Sequence, residues 1–167
     1  MTDEITSLRA SAHPLRLRML SLLTSDAMSA AEVARELDIA HASASYHLRV
    51  LHDADLITVD AEERIRGGVA KRYRYHHGRD EPATSAEDLE GQVQAMAQEL
   101  LRRFRQRTKG KGSFTDAELW VTPAVWDEVL ERVVETSHHL HAAAQRPRTE
   151  GTIPVNLTIA AFRMAAR

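Results

Sequence analysis

Ala42, Ser45, Tyr46 and Arg49 recur at spacings of three and four, which places them along one face of a helix. Their chemistry is that of close polar contact. A hydroxyl donates or accepts, a guanidinium pairs bidentately with two acceptors, and a methyl lets the helix come near its target. Surface helices usually carry Glu and Lys at such positions, because long charged chains form helix well and keep the surface soluble. This face is instead short, polar and free of carboxylates. It is built to enter a crowded place.

Three helices are needed to hold it. Ala44, Leu48 and Leu51 fall on the opposite side and give the helix an apolar stripe to bury. Upstream, "HPLRLRMLSLLTS" has Pro14 in a first turn, with Leu15, Met19, Leu22 and Leu23 at helical spacing. "MSAAEVARELDI" pairs Ser29 with Glu32 three residues on, a capping-box pattern, and offers Val33 and Leu37 as its core face. About three residues join that helix to the next, so the two must cross steeply, as in a helix-turn-helix. A further short helix is expected over residues 3–11. After Leu56 the period changes. "LITVDAEERIRGGVAKRYRYHH" sets Gly67-Gly68 between two alternating runs, which predicts a β-hairpin, with Tyr73 and Tyr75 as its packing residues. Three helices and a hairpin are the parts of a winged helix.

Charge is placed as well as counted. The 167-residue chain has a net charge of −2, so the whole molecule does not advertise an anionic partner. Yet Arg64, Arg66, Lys71, Arg72, Arg74 and Arg79 occur within 64–79 without one acidic residue. Cations on a hairpin can follow a phosphate backbone or enter a minor groove, and counterion release then supplies affinity. A double-stranded nucleic acid is the partner that suits both features, with the helix in the major groove and Arg49 facing guanine. The competing reading of the run is a solvated hairpin whose charges guard its edges. His47, beside the apolar stripe, is read equally as a helix-packing residue or a phosphate contact.

"HPLRLRMLSLL", "MSAAEVARELDI" and "SYHLRVLHDADLI" resemble the ArsR-type winged-helix repressors, whose recognition helix carries a Ser-x-His-Leu pattern, here Ser45, Tyr46, His47 and Leu48. The likeness covers about residues 8–77, and the long hairpin is similar to a subgroup with an extended wing and an added C-terminal region. It implies a dimer on a palindromic operator, usually a repressor, released by an effector. It also implies that His41, Ala42, Ser43, Ser45, Tyr46 and Arg49 face DNA; the charge run adds the wing cations Arg66, Lys71, Arg72 and Arg74 as expected contacts to the backbone or minor groove. Where the family commonly has Gly before Leu at the turn into the wing, this chain has Asp55.

The rest of the chain divides by its punctuation. "RDEPATS" (79–85) is a connector, and Leu89, Val93, Met96, Leu100 and Phe104 mark a long amphipathic helix, the natural pairing element of a two-fold dimer. "RRFRQRTKGK" is a solvated helix end before a glycine linker. "AELWV" then reads as a strand, Thr122-Pro123 opens a helix, and "TIPVNLTIAAF" alternates as a half-buried strand. Phe114, Trp120, Trp126 and Phe162 are the core of this unit, or line a pocket for an apolar small-molecule effector. The expected fold is α+β and mainly helical. A winged helix-turn-helix domain (1–80) precedes a dimerisation helix and linker (81–112), then a strand-helix-strand dimerisation or effector unit (113–167).

Several classes fall away. With no cysteine there is no disulfide, thiolate metal site or thiol chemistry. Among nine histidines only "SHHLHAA" clusters, and His138 with His141 lacks a spaced carboxylate, so no metal is expected. No GxSxG, HExxH, phosphate-binding loop or dinucleotide fingerprint occurs, so neither enzyme activity nor a cofactor is expected. No apolar run approaches the roughly 18–20 residues of a membrane span. Asp3, Glu4, Arg9, Arg16 and Arg18 break up the first twenty residues, so no leader is expected and the location is cytoplasmic. The chief rival is a winged helix used only as a protein-interaction module.

Overall fold

The computed structural model describes residues 10–65, 68–76 and 86–165. Helix α1 (Pro14–Ser25) begins where His13 turns its Nδ1 to accept the Leu15 N–H at 3.1 Å, with Pro14 in the first turn. A two-residue strand β1 (Met28–Ser29) leads into α2 (Ala30–Leu37). The expected capping box is made there. The Glu32 N–H donates to Ser29 Oγ at 3.3 Å, and the Ser29 N–H donates to Glu32 Oε2 at 2.7 Å. Asp38 ends α2 in the left-handed conformation (φ 53°), and α3 (His41–Asp53) follows after Ile39 and Ala40.

Met19, Leu23, Val33, Leu48, Leu51 and Ile57 are fully buried where these helices meet the sheet, with Ala44 beside them. Burying each large side chain is worth about 1.5–3 kcal/mol, so this contiguous core is what holds the domain together. The hairpin strands β2 (Ile57–Ile65) and β3 (Gly68–Tyr75) are antiparallel, and β1 pairs on the far side of β3 in the order β1-β3-β2. A register shift between Val59 and Ala61 leaves Asp60 bulged. Tyr73 and Tyr75 pack on the helical core as expected. The chain enters β2 through Asp55, whose φ of 56° keeps the left-handed geometry of a glycine turn. Three helices and this sheet form a winged helix-turn-helix.

Helix α4 (Ala86–Phe104) packs on α1, but not with its apolar stripe. Ala95 and Glu99 are its buried residues among those described, with Met96 half-buried, and Glu99 is ion-paired to Arg102 at 2.8 Å and Arg103 at 3.4 Å. Leu89, Val93, Leu100 and Phe104 stay exposed.

Helix α5 (Pro123–Ala142) starts as predicted, with Thr122 Oγ1 accepting the Val125 N–H at 3.3 Å. The strands expected on either side of it are absent among the described residues. Segments 113–121 and 153–165 have no ladder partner. A strand-like sequence is not enough, since a strand also needs a neighbour, and none is present among the described residues. The helix expected over 3–11 lies outside the described residues except for Ala10 and Ser11, both buried. No described helix is long and apolar enough to cross a membrane.

Candidate nucleic-acid interface

The wholly buried stripe of Ala44, Leu48 and Leu51 fixes the rotation of α3, and so fixes what its other side presents. His41, Ala42, Tyr46 and Arg49 are exposed, while Ser43 and Ser45 are half-buried. Arg49 lies back along the helix, its Nε donating to the Ser45 carbonyl at 3.3 Å, which leaves the ends of the guanidinium outward. Ala40, at the N-cap, supplies no side-chain cap. The first-turn N–H groups of α3 are therefore open to an incoming anion, which the helix dipole also favours.

His47 sits inward of this face. Its ring is 4.9 Å from that of His13 and 5.1 Å from that of Tyr46, and its Nδ1 is buried without a hydrogen-bond partner. Burial first, then the positive surroundings of His13 and Arg16, hold its pKa below the ordinary 6.5. Between the two readings open for His47, this geometry is that of the packing residue.

The wing divides its cations by strand face. Alternation puts Lys71 on the same face of β3 as Tyr73 and Tyr75, the face turned to the helices, and sends Arg72 and Arg74 to the other. His52, near the end of α3, meets Tyr73 with ring centroids 5.9 Å apart, so the Tyr73 face of β3 meets the end of α3. Arg64 pairs with Val69 across the hairpin and so shares the Lys71 face. Both are exposed, and neither makes an ion pair among the described residues.

Arg72 and Arg74 are otherwise engaged. The register brings Arg72 opposite Ser29 at the start of α2, where its guanidinium lies 2.9 Å from Glu32 Oε2 and donates to the Ala27 carbonyl at 2.7 Å. Arg74 lies 3.4 Å from Asp60 and 3.8 Å from Asp26. Glu62, the cross-strand neighbour of Lys71, adds another carboxylate. The run that is purely basic in sequence is thus partly neutralised by β2 and α2. Arg66, Arg79 and the 66–67 turn lie outside the described residues.

A second set of polar contacts joins distant parts of the chain. Arg146, in the loop after α5, pairs with Asp26, and Arg148 makes two 3.0 Å bonds to the Glu36 carboxylate. These tie the C-terminal unit to the helix-turn-helix across more than a hundred residues, and no local pattern announces them.

A family model described as a helix-turn-helix domain matches residues 12–60, which span α1, β1, α2, α3 and the start of β2. The chain resembles a DNA-binding regulator. No curated protein matches it. The family match ends before β3, so the wing cations and everything beyond them rest on the geometry alone.

Proposed function

We propose that the chain is a sequence-specific double-stranded-DNA-binding transcriptional regulator, a dimeric repressor on a palindromic operator. The observation that carries this is the exposed, carboxylate-free face of Ala42, Tyr46 and Arg49, with Ser45 at its edge, on a helix whose opposite face is buried. In this reading α3 lies in the major groove. Arg49 and Ser45 meet base edges, and His41 and Ser43 lie at the uncapped helix start beside a phosphate. Arg64, Arg66 and Lys71 follow the backbone with the wing, while Arg72 and Arg74 hold the wing's base. Half-sites about 34 Å apart call for a two-fold dimer, and the uncovered α4 stripe of Leu89, Val93, Leu100 and Phe104 is the face available for it.

Fragments selected from genomic DNA by the intact protein and sequenced identify the operator, and a salt titration then measures its binding. Strong salt dependence is expected. Arg49→Ala should cost about 1–3 kcal/mol and blur preference at particular base pairs, with little loss on unrelated DNA. Salt-insensitive or absent binding would overturn the reading in favour of a protein-interaction module.

A further inference from the structure

The C-terminal unit is unfinished as a single chain. Helix α5 has twenty residues and buries none of them. Around it Phe114 is 80% exposed, Trp120 84%, Ile153 78% and Phe162 65%. The three aromatics alone expose on the order of 500 Å². With Leu119 and Ile153 added, the face reaches the roughly 800 Å² that one partner of a standard interface contributes.

The shape of this surface points to a macromolecule. Ile159 lines an open hollow of about 240 Å³ together with Val129 and Val133 of α5. Small-molecule sites enclose most of their ligand, commonly within about 300–1,000 Å³, so this hollow suits a packed side chain rather than an effector. The backbone has a matching need. Leu119-Trp120-Val121 form a short apolar run, and Val155, Leu157 and Ile159 alternate with Asn156 and Thr158, yet neither segment joins a ladder among the described residues. An unpaired strand-like edge is completed by another strand. The surface also continues into the α4 stripe, since Phe104 meets Phe114 edge-on with centroids 5.8 Å apart.

We infer that the two C-terminal segments pair as β-strands with those of a second copy, so that each copy's α5 covers a sheet built by both. This rests on the dimeric reading above and adds the surface that makes the dimer. A second copy fits because it brings the same unpaired edges and the same apolar side chains, which a two-fold axis sets against each other. Arg103, donating to Asn156 Oδ1 at 3.1 Å, fastens the second segment to α4, so an exchanged sheet fixes the spacing of the two reading heads.

The chain's only tryptophans, Trp120 and Trp126, both lie in this unit, so their emission reports on it alone. Sedimentation and tryptophan emission of the intact protein, followed across a dilution series, should show a dimer with blue-shifted emission that moves red as it dissociates. Ile153→Lys should weaken dimerisation by about thirty-fold or more, while the far-UV circular dichroism of the helix-turn-helix is retained. A dimer whose emission is already that of solvent-exposed tryptophan, or whose strength Ile153→Lys leaves unchanged, overturns the exchange and leaves the dimeric regulator standing. A monomer that binds the operator overturns both. A dimer with the expected emission but no DNA binding supports the exchange and removes the proposed function alone.

Discussion

The guanidinium of Arg72 shares the carboxylate of Glu32 with the helix cap: Glu32 Oε2 lies 2.9 Å from Arg72 Nη1 and accepts the Ser29 N–H at 2.7 Å. One side chain therefore starts α2 and anchors the wing. Burial alone would raise the Glu32 pKa, but hydrogen bonds from Ser29 and Arg72 and the Arg72 charge outweigh it, and the carboxyl titrates below its ordinary 4.5. Its depressed pKa contributes stability that is complete above pH 4.5 and is lost as pH falls through the lower folded value.

Arg72→Ala is expected to destabilise the protein by about 1–2 kcal/mol in urea unfolding, since it leaves Glu32 and the Ala27 carbonyl each short of a donor. Lys should not restore it, lacking the fork that reaches both acceptors. Lys71→Ala, one residue away on the other strand face, should leave stability within about 0.5 kcal/mol. Its effect belongs to DNA binding, where it should lower the salt slope by about one on every sequence. The reverse pattern would mean that the faces of β3 are misassigned.

Acid should loosen the packing of α1 on α3. His13 accepts the Leu15 N–H through Nδ1 and so caps α1 only while that nitrogen is unprotonated. Burial and then Arg16 lower its pKa, as burial, His13 and Arg16 lower that of His47. A histidine whose folded pKa lies below 6.5 binds fewer protons folded than unfolded, so stability is complete above pH 6.5 and falls as pH drops below it. Each such group contributes a slope of at most about 1.4 kcal/mol per pH unit. His47→Gln should reduce the slope of unfolding free energy between roughly pH 6.5 and 5, and an unchanged slope would place the titration elsewhere.

The helices and the exposed face of α3 were legible because their signals are local. Ser29 and Glu32 are three residues apart, Pro14 follows its cap directly, and Ala44, Leu48 and Leu51 share one helical stripe. What α3 presents follows from what it buries. The fate of the wing cations was not legible. Arg72 meets Glu32 across forty residues, and only the pairing of Arg72 with Ser29 brings them together. The same limit applies to the C-terminal segments, whose strand-like residues show a capacity for pairing without supplying the partner.

The loop after α5 provides a third test. Arg148 holds Glu36 with two bonds while its own backbone is left-handed (φ 66°), and that exposed pair lifts its pKa through the hydrogen bond and charge of Glu36. Arg146 meets Asp26, which also lies 3.8 Å from Arg74 at the base of the wing. Arg148→Ala keeps the backbone strain and loses the pair, whereas Arg148→Gly loses both. Because the strain of Ala at positive φ exceeds the freedom that glycine adds to the unfolded chain, the glycine variant should be the more stable of the two in thermal melts. Salt should narrow the gap between the parent and either variant, since exposed pairs are screened. Hydrogen exchange in 143–150 should quicken in the alanine variant before exchange in α3 does.

Asp55 offers the sharpest backbone test, since it stands where similar winged helices commonly have glycine and nonetheless adopts φ 56°. Asp tolerates this conformation better than most residues because its short polar chain bonds locally, but it retains a Cβ that crowds the following carbonyl. Asp55→Gly removes that crowding and adds freedom to the unfolded chain, two effects of similar size and opposite sign. The net change should lie within about 0.5 kcal/mol of the parent. Asp55→Val has no such escape, since a β-branched residue is a true outlier at positive φ, and it should cost about 1–2 kcal/mol. Because Asp55 leads directly from α3 into β2, the valine variant should, in the proposed DNA-binding reading, also weaken operator binding by displacing the wing from α3, while Asp55→Gly binds as the parent does. Equal stability of the two variants in urea unfolding would show that the turn does not hold the left-handed geometry in solution.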